Sequence, residues 1–462
     1  MGPIDPFAKI GQFFPSAPRP TRRPDLKSRA LFTLLALVIY LLMATTLIYP
    51  LTQAVGPGLP PLIAVVFASA RGTLAQLGIG PIVTAGLIMQ ILVGAKLLNI
   101  DLSDPEGRRK FTTAQRGLAV VIAAVEALGF SLSYTQFNIY LRIAIFLQLL
   151  MGAFILIILD ETIQKGWGIG SGVSLFILAG VARTIFWDIF SPLAAQEAGG
   201  QVYGFVPYVI DSLMKGTFSF NALWLRVATT PAGTTFLPSL TGLIGVIIIT
   251  LLLVYLQSMR IYIPITLPRY GGIKSRVPLQ FLYVANIPVL LVGILFSNII
   301  LFNRLASAYS VPYLSSFLRT LAFYMSPPRH GYELLINPAR VLIYAGLLFA
   351  LGILFGFMWI EVSGLSPSGQ AEQLIKSGLE IPGVRRNPKI LESLLAKYIY
   401  PLTLISSIIV CAISLFADLL GTYGGGIGIL LAVGIIQQYY TMIAYEQALE
   451  MYPLLKRFIG EE

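Results

Sequence analysis

Ten apolar runs, each close to the length of a bilayer crossing, divide this 462-residue chain, and no other feature constrains its fold as much. They lie at roughly 31–50, 81–98, 117–134, 139–159, 171–187, 238–258, 281–302, 339–360, 399–420 and 427–446. A hydrocarbon core of ~30 Å takes ~20 residues of helix, and every backbone N–H and C=O inside it must be bonded internally. The expected fold is therefore all-α and polytopic, with ten transmembrane helices. Only 11% of residues are charged, against about 25% in soluble domains, so a soluble core does not compete with this reading.

Ten spans put both termini on one side, and basic residues name that side. More than two thirds of the 32 Lys and Arg fall in the N-terminal tail, the connections after even-numbered spans and the C-terminal tail. By the positive-inside rule the termini are cytoplasmic. Much of the +11 net charge is then a topology signal. About thirty polar, basic residues precede the first span, so a cleavable leader is not expected. Within them Ile4–Phe14 is a short amphipathic piece, read either as disordered tail or as a helix lying on the membrane.

The expected organisation is a tail over 1–30, a first half over 31–187, an external loop over 188–237, a second half over 238–450 and a tail over 451–462. Gly204–Lys215 in the external loop is a candidate surface helix. Two cytoplasmic connections are conspicuously basic. Residues 259–280 hold Arg260, Arg269, Lys274 and Arg276 with no acid, and residues 361–397 hold Arg385 and Arg386. Taken alone, these are equally a solvated, topology-setting face.

The second span opens on Leu77-Gly-Ile-Gly-Pro-Ile-Val83, which is apolar yet poorly suited to continuous helix. Pro81 lacks a donor and the glycines loosen the chain, so a break is expected here. In lipid such a break persists only under cover of protein or a water-filled cavity. The seventh span carries Ala285-Asn-Ile-Pro-Val-Leu290 at the matching position of the second half. Five spans per half give the halves opposite orientations, and interrupted helices at matching positions mark inverted repeats about a central site. Ile79 and Val83 are expected to face that site.

The chemistry of other membrane functions is missing from the spans. Ion coupling needs carboxylates or exposed carbonyls near the midplane, and an intramembrane enzyme needs a nucleophile with its base. Glu126 is the one acid well inside an expected span. It reads either as a carboxyl group bonded to a neighbouring hydroxyl or amide, or as part of a proton relay that has no further members. One Cys and one His exclude a disulfide framework and a multi-histidine metal centre, and no cofactor is expected. The alternatives, an ion-coupled secondary transporter and an enzyme, are thus disfavoured. An aliphatic constriction resists ions by dewetting and yields around a passing chain.

Leu77–Gly86, Gly168-Ile-Gly-Ser-Gly-Val-Ser-Leu-Phe-Ile177, Arg260-Ile-Tyr-Ile-Pro264, Asn286-Ile-Pro-Val289, Ser406-Ser407 and Gly424-Gly-Gly-Ile-Gly428 occur in order across ten spans. In this the chain resembles the SecY family, the channel subunit of the general protein translocase, and its archaeal branch more than its bacterial one. The resemblance runs from about residue 26 to 450. It implies two pseudo-symmetric halves around an hourglass pore. A pore ring would be formed by Ile79, Val83, Val173, Ile177, Leu290 and Leu431, of which 79/83 and 173/177 each share a helix face. Without the resemblance these residues read as ordinary interhelical packing. A plug over about 61–71 would include Leu62, Ile63, Val65, Val66, Phe67, Ser69 and Arg71.

The resemblance further implies a lateral gate between spans two and three on one side and seven and eight on the other. Thr84, Glu126 and Asn298 form its polar cluster, which would supply Glu126 with partners. Arg260, Arg269, Lys274, Arg276, Arg385 and Arg386 would dock the ribosome through its RNA. Other implied partners are a single-span SecE or gamma-type subunit, a small beta subunit, signal sequences and nascent polypeptides, in the cytoplasmic membrane.

Overall fold

The computed structural model describes residues 5–22, 24–51, 61–94, 97–98, 105–192, 201–230, 233–267, 273–308, 312–376 and 388–451. A short helix α1 (Asp5–Phe13) precedes the first span, α2 (Leu26–Thr45). A six-residue helix α3 (Pro61–Val66) leads to the second span, α4 (Gly80–Gly94), and then to α5 (Pro105–Ser133). The fourth span α6 (Ile139–Thr162) ends in a π-helical turn, Ile163–Trp167, before α7 (Gly172–Phe190). The connection between halves holds α8 (Phe205–Met214), α9 (Phe220–Trp224) and a hairpin of β1 (Arg226–Thr230) with β2 (Gly233–Leu237). The second half starts with α10 (Leu240–Ser258), followed by a hairpin of β3 (Arg260–Leu267) with β4 (Ile273–Gln280) and the seventh span α11 (Ile287–Ala308). Helices α12 (Pro312–Met325) and α13 (Glu333–Ile336) precede α14 (Pro338–Val362). The chain closes with α15 (Pro367–Lys376), α16 (Pro388–Leu419) and α17 (Gly425–Met451).

Among the described residues nine helices are long and apolar enough to cross a bilayer, and α4 is the tenth span at 15 residues. At 1.5 Å per residue it covers only ~22 Å, short of the hydrocarbon core. The deficit falls where the Gly-Pro sequence breaks the helix. Burial sorts the spans: 61% of the apolar window of α11 is buried inside the protein against 22% for α10, so α11 is central and α10 faces lipid.

The packing repeats when five spans are added. Helix α2 packs on α6 and α7, and α10 packs on α16 and α17. The sequence α4–α5–α6 packs in order, as does α11–α14–α16. The halves meet along α7–α17 on one side, and along α4–α11, α4–α14 and α5–α11 on the other. This is the expected ten-helix, two-half architecture.

Three expectations are refined. The amphipathic tail is a helix, laid against α5 where Gly11 and Gly117 let two backbones touch, with Lys110 paired to Asp5 at 2.8 Å. The helix of the ninth span begins at Pro388, well before 399, because Leu391 and Leu395, outside the apolar run, bury against α15. The basic stretch 259–280 is mostly a hairpin, with Arg260 opposite Gln280, Arg276 opposite Pro264 and Lys274 opposite Thr266. The surface helix expected over 204–215 is α8.

Candidate functional site

The Gly-Pro break is built as its residues demand. After α3 the chain turns through Ala68 at φ +49° and Gly78 at φ +55°, and Pro81 sits in the first turn of α4, where a missing N–H costs nothing. A Cβ on Gly78 would collide with the carbonyl of Phe67, so only glycine fits. That approach lets the Ile79 amide donate to Phe67 O at 2.8 Å. The intervening turn is pinned from both sides. Tyr40 Oη donates to Ala68 O at 2.9 Å, Ser69 Oγ bonds Gln76 O, and Gln76 Oε1 accepts from Gly72 N and Tyr134 Oη, each at 3.2 Å.

Helix α3 packs against α7, α11 and α17. Leu62, Ile63, Val65, Val66, Phe67 and Ser69 are buried, and Arg71 is half-buried. The walls accept this segment by presenting glycine. A Cβ on Gly428 of α17 would lie 2.8 Å from Val65 Cγ1, one on Gly293 of α11 3.2 Å from Val66 Cγ2, and one on Gly180 of α7 3.2 Å from Ala68 Cα. The broad apolar cluster that holds the plug segment also holds Ile79, Val83, Ile177 and Leu431, with Val173 and Leu290 packed half-buried against it. Helix α3 thus packs against α7, α11 and α17, the spans that carry Val173, Ile177, Leu290 and Leu431, and the residue that follows it, Phe67, is bonded to Ile79. The side chains at all six expected ring positions are aliphatic, and apolar surface with no ligand for hydration water resists ions.

On the seam opposite α7–α17, Thr84 of α4 and Asn298 of α11 pair, with Asn298 Nδ2 3.0 Å from Thr84 Oγ1 and 3.0 Å from Ile294 O. Glu126 of α5 is buried, but Thr84 and Asn298 spend their bonding capacity on each other. Among the described residues Glu126 Oε1 has no hydrogen-bond partner, which corrects the expectation that this pair supplies one. Elsewhere on the seam Gly129 of α5 abuts Leu305 of α11, and Gly94 of α4 abuts Met358 and Val362 of α14. A small cavity between α4, α11 and α14 is lined by Leu87, Gln90, Ile91, Leu291, Phe355 and Met358, with Gln90 Oε1 unbonded beside it.

At the end bearing both termini, Arg260 and Arg276 are exposed at even register positions of the β3–β4 hairpin, so they share a face. Arg269, Arg385 and Arg386 lie outside the described residues. At the same end Arg29 pairs with Glu446 at 2.8 Å and donates to Gly168 O at 3.0 Å, joining α2 to α17 and to the turn before α7.

Several polar residues here were not anticipated. Asp160 and Asp418 are buried at the ends of α6 and α16, where a span boundary hides a carboxylate from a search of span interiors. Arg226 holds the connection between halves. Its guanidinium donates to Tyr203 O at 3.0 Å and Pro238 O at 2.9 Å and lies 3.7 Å over the Tyr208 ring, and burial draws its pKa down to about 10. No local motif distinguishes it from any other loop arginine.

Residues 73–440 match the SecY family. The protein translocase subunit SecY of Saccharolobus solfataricus is 47% identical, over the whole length of both chains. A solved structure described as that of a protein conducting channel superposes with TM-score 0.80 at 33% identity, covering 98% of this chain and 99% of its own. Sec61 from a canine ribosome-channel complex of the endoplasmic reticulum superposes with TM-score 0.78 at 32% identity, again over 98% and 99%. With its motifs in register, its two-half architecture and full-length relatives of this kind, the chain belongs to the SecY family of protein translocase subunits, which form a protein-conducting channel.

Proposed function

We propose that this chain is the central subunit of a channel that passes secretory polypeptides across the cytoplasmic membrane and releases transmembrane segments sideways into it. At rest Ile79, Val83, Val173, Ile177, Leu290 and Leu431 form an apolar ring, and the 61–71 segment seats against it as a plug. One observation supports this reading: the short helix α3 packs against α7, α11 and α17, the spans that carry four of the six residues, and Phe67 just after it accepts the amide of Ile79. Opening requires the plug to leave its glycine-lined seat and the ring to yield around the chain, and aliphatic contacts permit both because they are non-directional.

The lateral gate is the α4–α11–α14 seam, where Thr84–Asn298 is the polar fastening and Glu126 lies buried on the adjoining α5. A polar contact between membrane helices is worth ~0.6 kcal/mol on average, which suits a seam that opens. The arginines of the β3–β4 hairpin, together with Arg385 and Arg386, dock the ribosome, whose RNA is a polyanion. The ribosome-channel relative supports that assignment, and the basic bias of this end supports cytoplasmic termini. A SecE or gamma-type subunit and a small beta subunit complete the complex.

The reading is tested with a ribosome-stalled secretory chain that carries a photo-crosslinker at successive positions. Adducts are expected at residues 79, 83, 173, 177, 290 and 431. Labelling confined to lipid-facing positions such as Leu251 or Phe416 overturns it.

A further inference from the structure

Each half of the molecule starts its fifth span in the same way. In the first half Asp160, two residues from the end of α6, is 6% exposed, and its Oδ1 accepts the amide of Val173 at 2.9 Å. In the second half Asp418, one residue from the end of α16, is 4% exposed, and its Oδ1 accepts the amide of Gly426 at 2.6 Å. Val173 and Gly426 are both the second residue of their helices, α7 and α17. The two sites lie 258 positions apart in the chain and at opposite ends of the bundle, so no local sequence motif relates them.

Helix starts leave amides without intrahelical partners and carry a partial positive charge, which a carboxylate satisfies. The usual cap is the residue just before the helix, but here the acceptor comes from the preceding span. The N-cap of α7, Ser171, makes no side-chain cap bond. Such an acceptor fixes more than the helix end: it sets the rotation and height of the fifth span relative to the fourth. Both carboxylates are held in turn, Asp160 by Gln164 Nε2 at 2.9 and 2.8 Å and Asp418 by Tyr344 Oη at 3.3 Å. Close packing leaves little play. A Cβ on Gly172 would lie 2.6 Å from Asp160 Cα, and one on Gly426 would strike the carbonyl of Ser414.

The fifth spans are also tied to each other at both ends. Tyr439 of α17 donates to Ser171 O, at the start of α7, at 2.9 Å. Asp188 near the far end of α7 accepts from the backbone of Gly424, at the start of α17. The capped helices carry half of the proposed ring: Val173 itself, Ile177 one turn on, and Leu431 five residues beyond Gly426.

We propose that Asp160 and Asp418 are positioning residues of the ring, each setting the register in which its fifth span presents aliphatic side chains to the pore. This rests on the ring reading above. What matters is an acceptor at that place, so asparagine retains the function and alanine loses it.

The test compares Asp160→Ala, Asp160→Asn, Asp418→Ala and Asp418→Asn in the complete reconstituted complex, reading resting ion conductance beside assembly and thermal unfolding. The ring variant carrying Ile79→Gly, Val83→Gly and Leu290→Gly serves as reference. Assembled alanine variants are expected to leak at least tenfold above wild type, while asparagine variants stay within about threefold. Sealed alanine variants beside a leaking ring variant overturn the inference alone. Equal leakage from alanine and asparagine also overturns it, since an acceptor was then not the requirement. A ring variant that stays sealed overturns the ring reading itself. Should an alanine variant fail to assemble, serine, whose hydroxyl sits on a shorter arm, replaces it under the same outcomes.

Discussion

The amide of Ile79, at the start of the second span, donates to the carbonyl of Phe67, at the end of the plug segment, across 2.8 Å. One bond thus joins a residue of the proposed ring to the proposed plug segment. It exists because Gly78 places two backbones within a distance that no side chain tolerates.

Gly78→Ala tests that coupling. A left-handed φ costs a non-glycine residue roughly 1–2 kcal/mol, and the added methyl also meets Phe67 O. Relief requires the plug to shift, so the seated state should lose at least 1.4 kcal/mol, a factor of about ten. Single-channel recordings of the reconstituted complex should show resting openings at least tenfold more often. Unchanged closure would mean that the Phe67–Ile79 bond is not part of the seal.

Replacing Ile79, Val83 and Leu290 together by glycine removes half of the proposed ring's aliphatic side chains while leaving the plug sequence intact. Large-to-small changes in packed sites cost roughly 2–5 kcal/mol each when the surroundings do not collapse, and the space left admits water. Ion conductance of the resting complex should rise, with assembly preserved because the remainder of the cluster is untouched. A conductance equal to wild type would remove these residues from the seal.

Arg260→Glu with Arg276→Glu addresses the hairpin face. If these arginines meet RNA phosphate, ribosome affinity should fall, and the slope of log affinity against log salt should fall by roughly one for each arginine. Identical binding at all salt concentrations would leave them as solvated topology signals. Variants at Arg385 and Arg386 extend the comparison to the other basic connection.

His330 gives a pH dependence to the turn between α12 and α13. It stacks on Phe236 with ring centroids 5.6 Å apart, and the neighbouring Gly331 amide bonds Leu419 O at 2.6 Å. Burial lowers its pKa below 6.5, with nearby Glu333 opposing in part. The folded turn therefore binds the proton less well than the unfolded chain does. Its stability is complete above pH 6.5 and is lost as pH falls through the lower folded value. Hydrogen exchange at Gly331, corrected for intrinsic rate, should quicken over that window, and His330→Phe should abolish the effect. A flat profile in the wild type would show that the stack does not depend on protonation.

Much of this was legible in the sequence, for identifiable reasons. Spans were legible because bilayer thickness imposes one length on every helix. The break was legible because Gly78 and Pro81 are local instructions. The ring positions came from the family resemblance, since aliphatic residues in an apolar span look alike until a partner helix is placed beside them. The hairpin in 259–280 was missed although Arg-Ile-Tyr-Ile-Pro-Ile-Thr alternates with period two; its charges drew the reading toward topology. Asp160 and Asp418 were missed because their partners are amides thirteen and eight residues away in other helices, a relation that appears only once spans are packed.

Thr84→Val isolates the fastening at the gate. Thr84 bonds Asn298 across α4 and α11, and Glu126 adds nothing to the pair through Oε1. Valine keeps the volume and removes the hydroxyl, so the expected loss is the pair itself, ~0.6 kcal/mol, or about a threefold shift toward the parted seam. Asn298→Leu should do the same, and the double variant should add little more, because each single change already breaks the one interaction. The measurement is lateral insertion of a marginally hydrophobic test segment into lipid, which should rise about threefold in each single variant. Additive effects in the double variant would show that Thr84 and Asn298 act on the gate through separate contacts, and unchanged insertion in all three would take the fastening away from this seam.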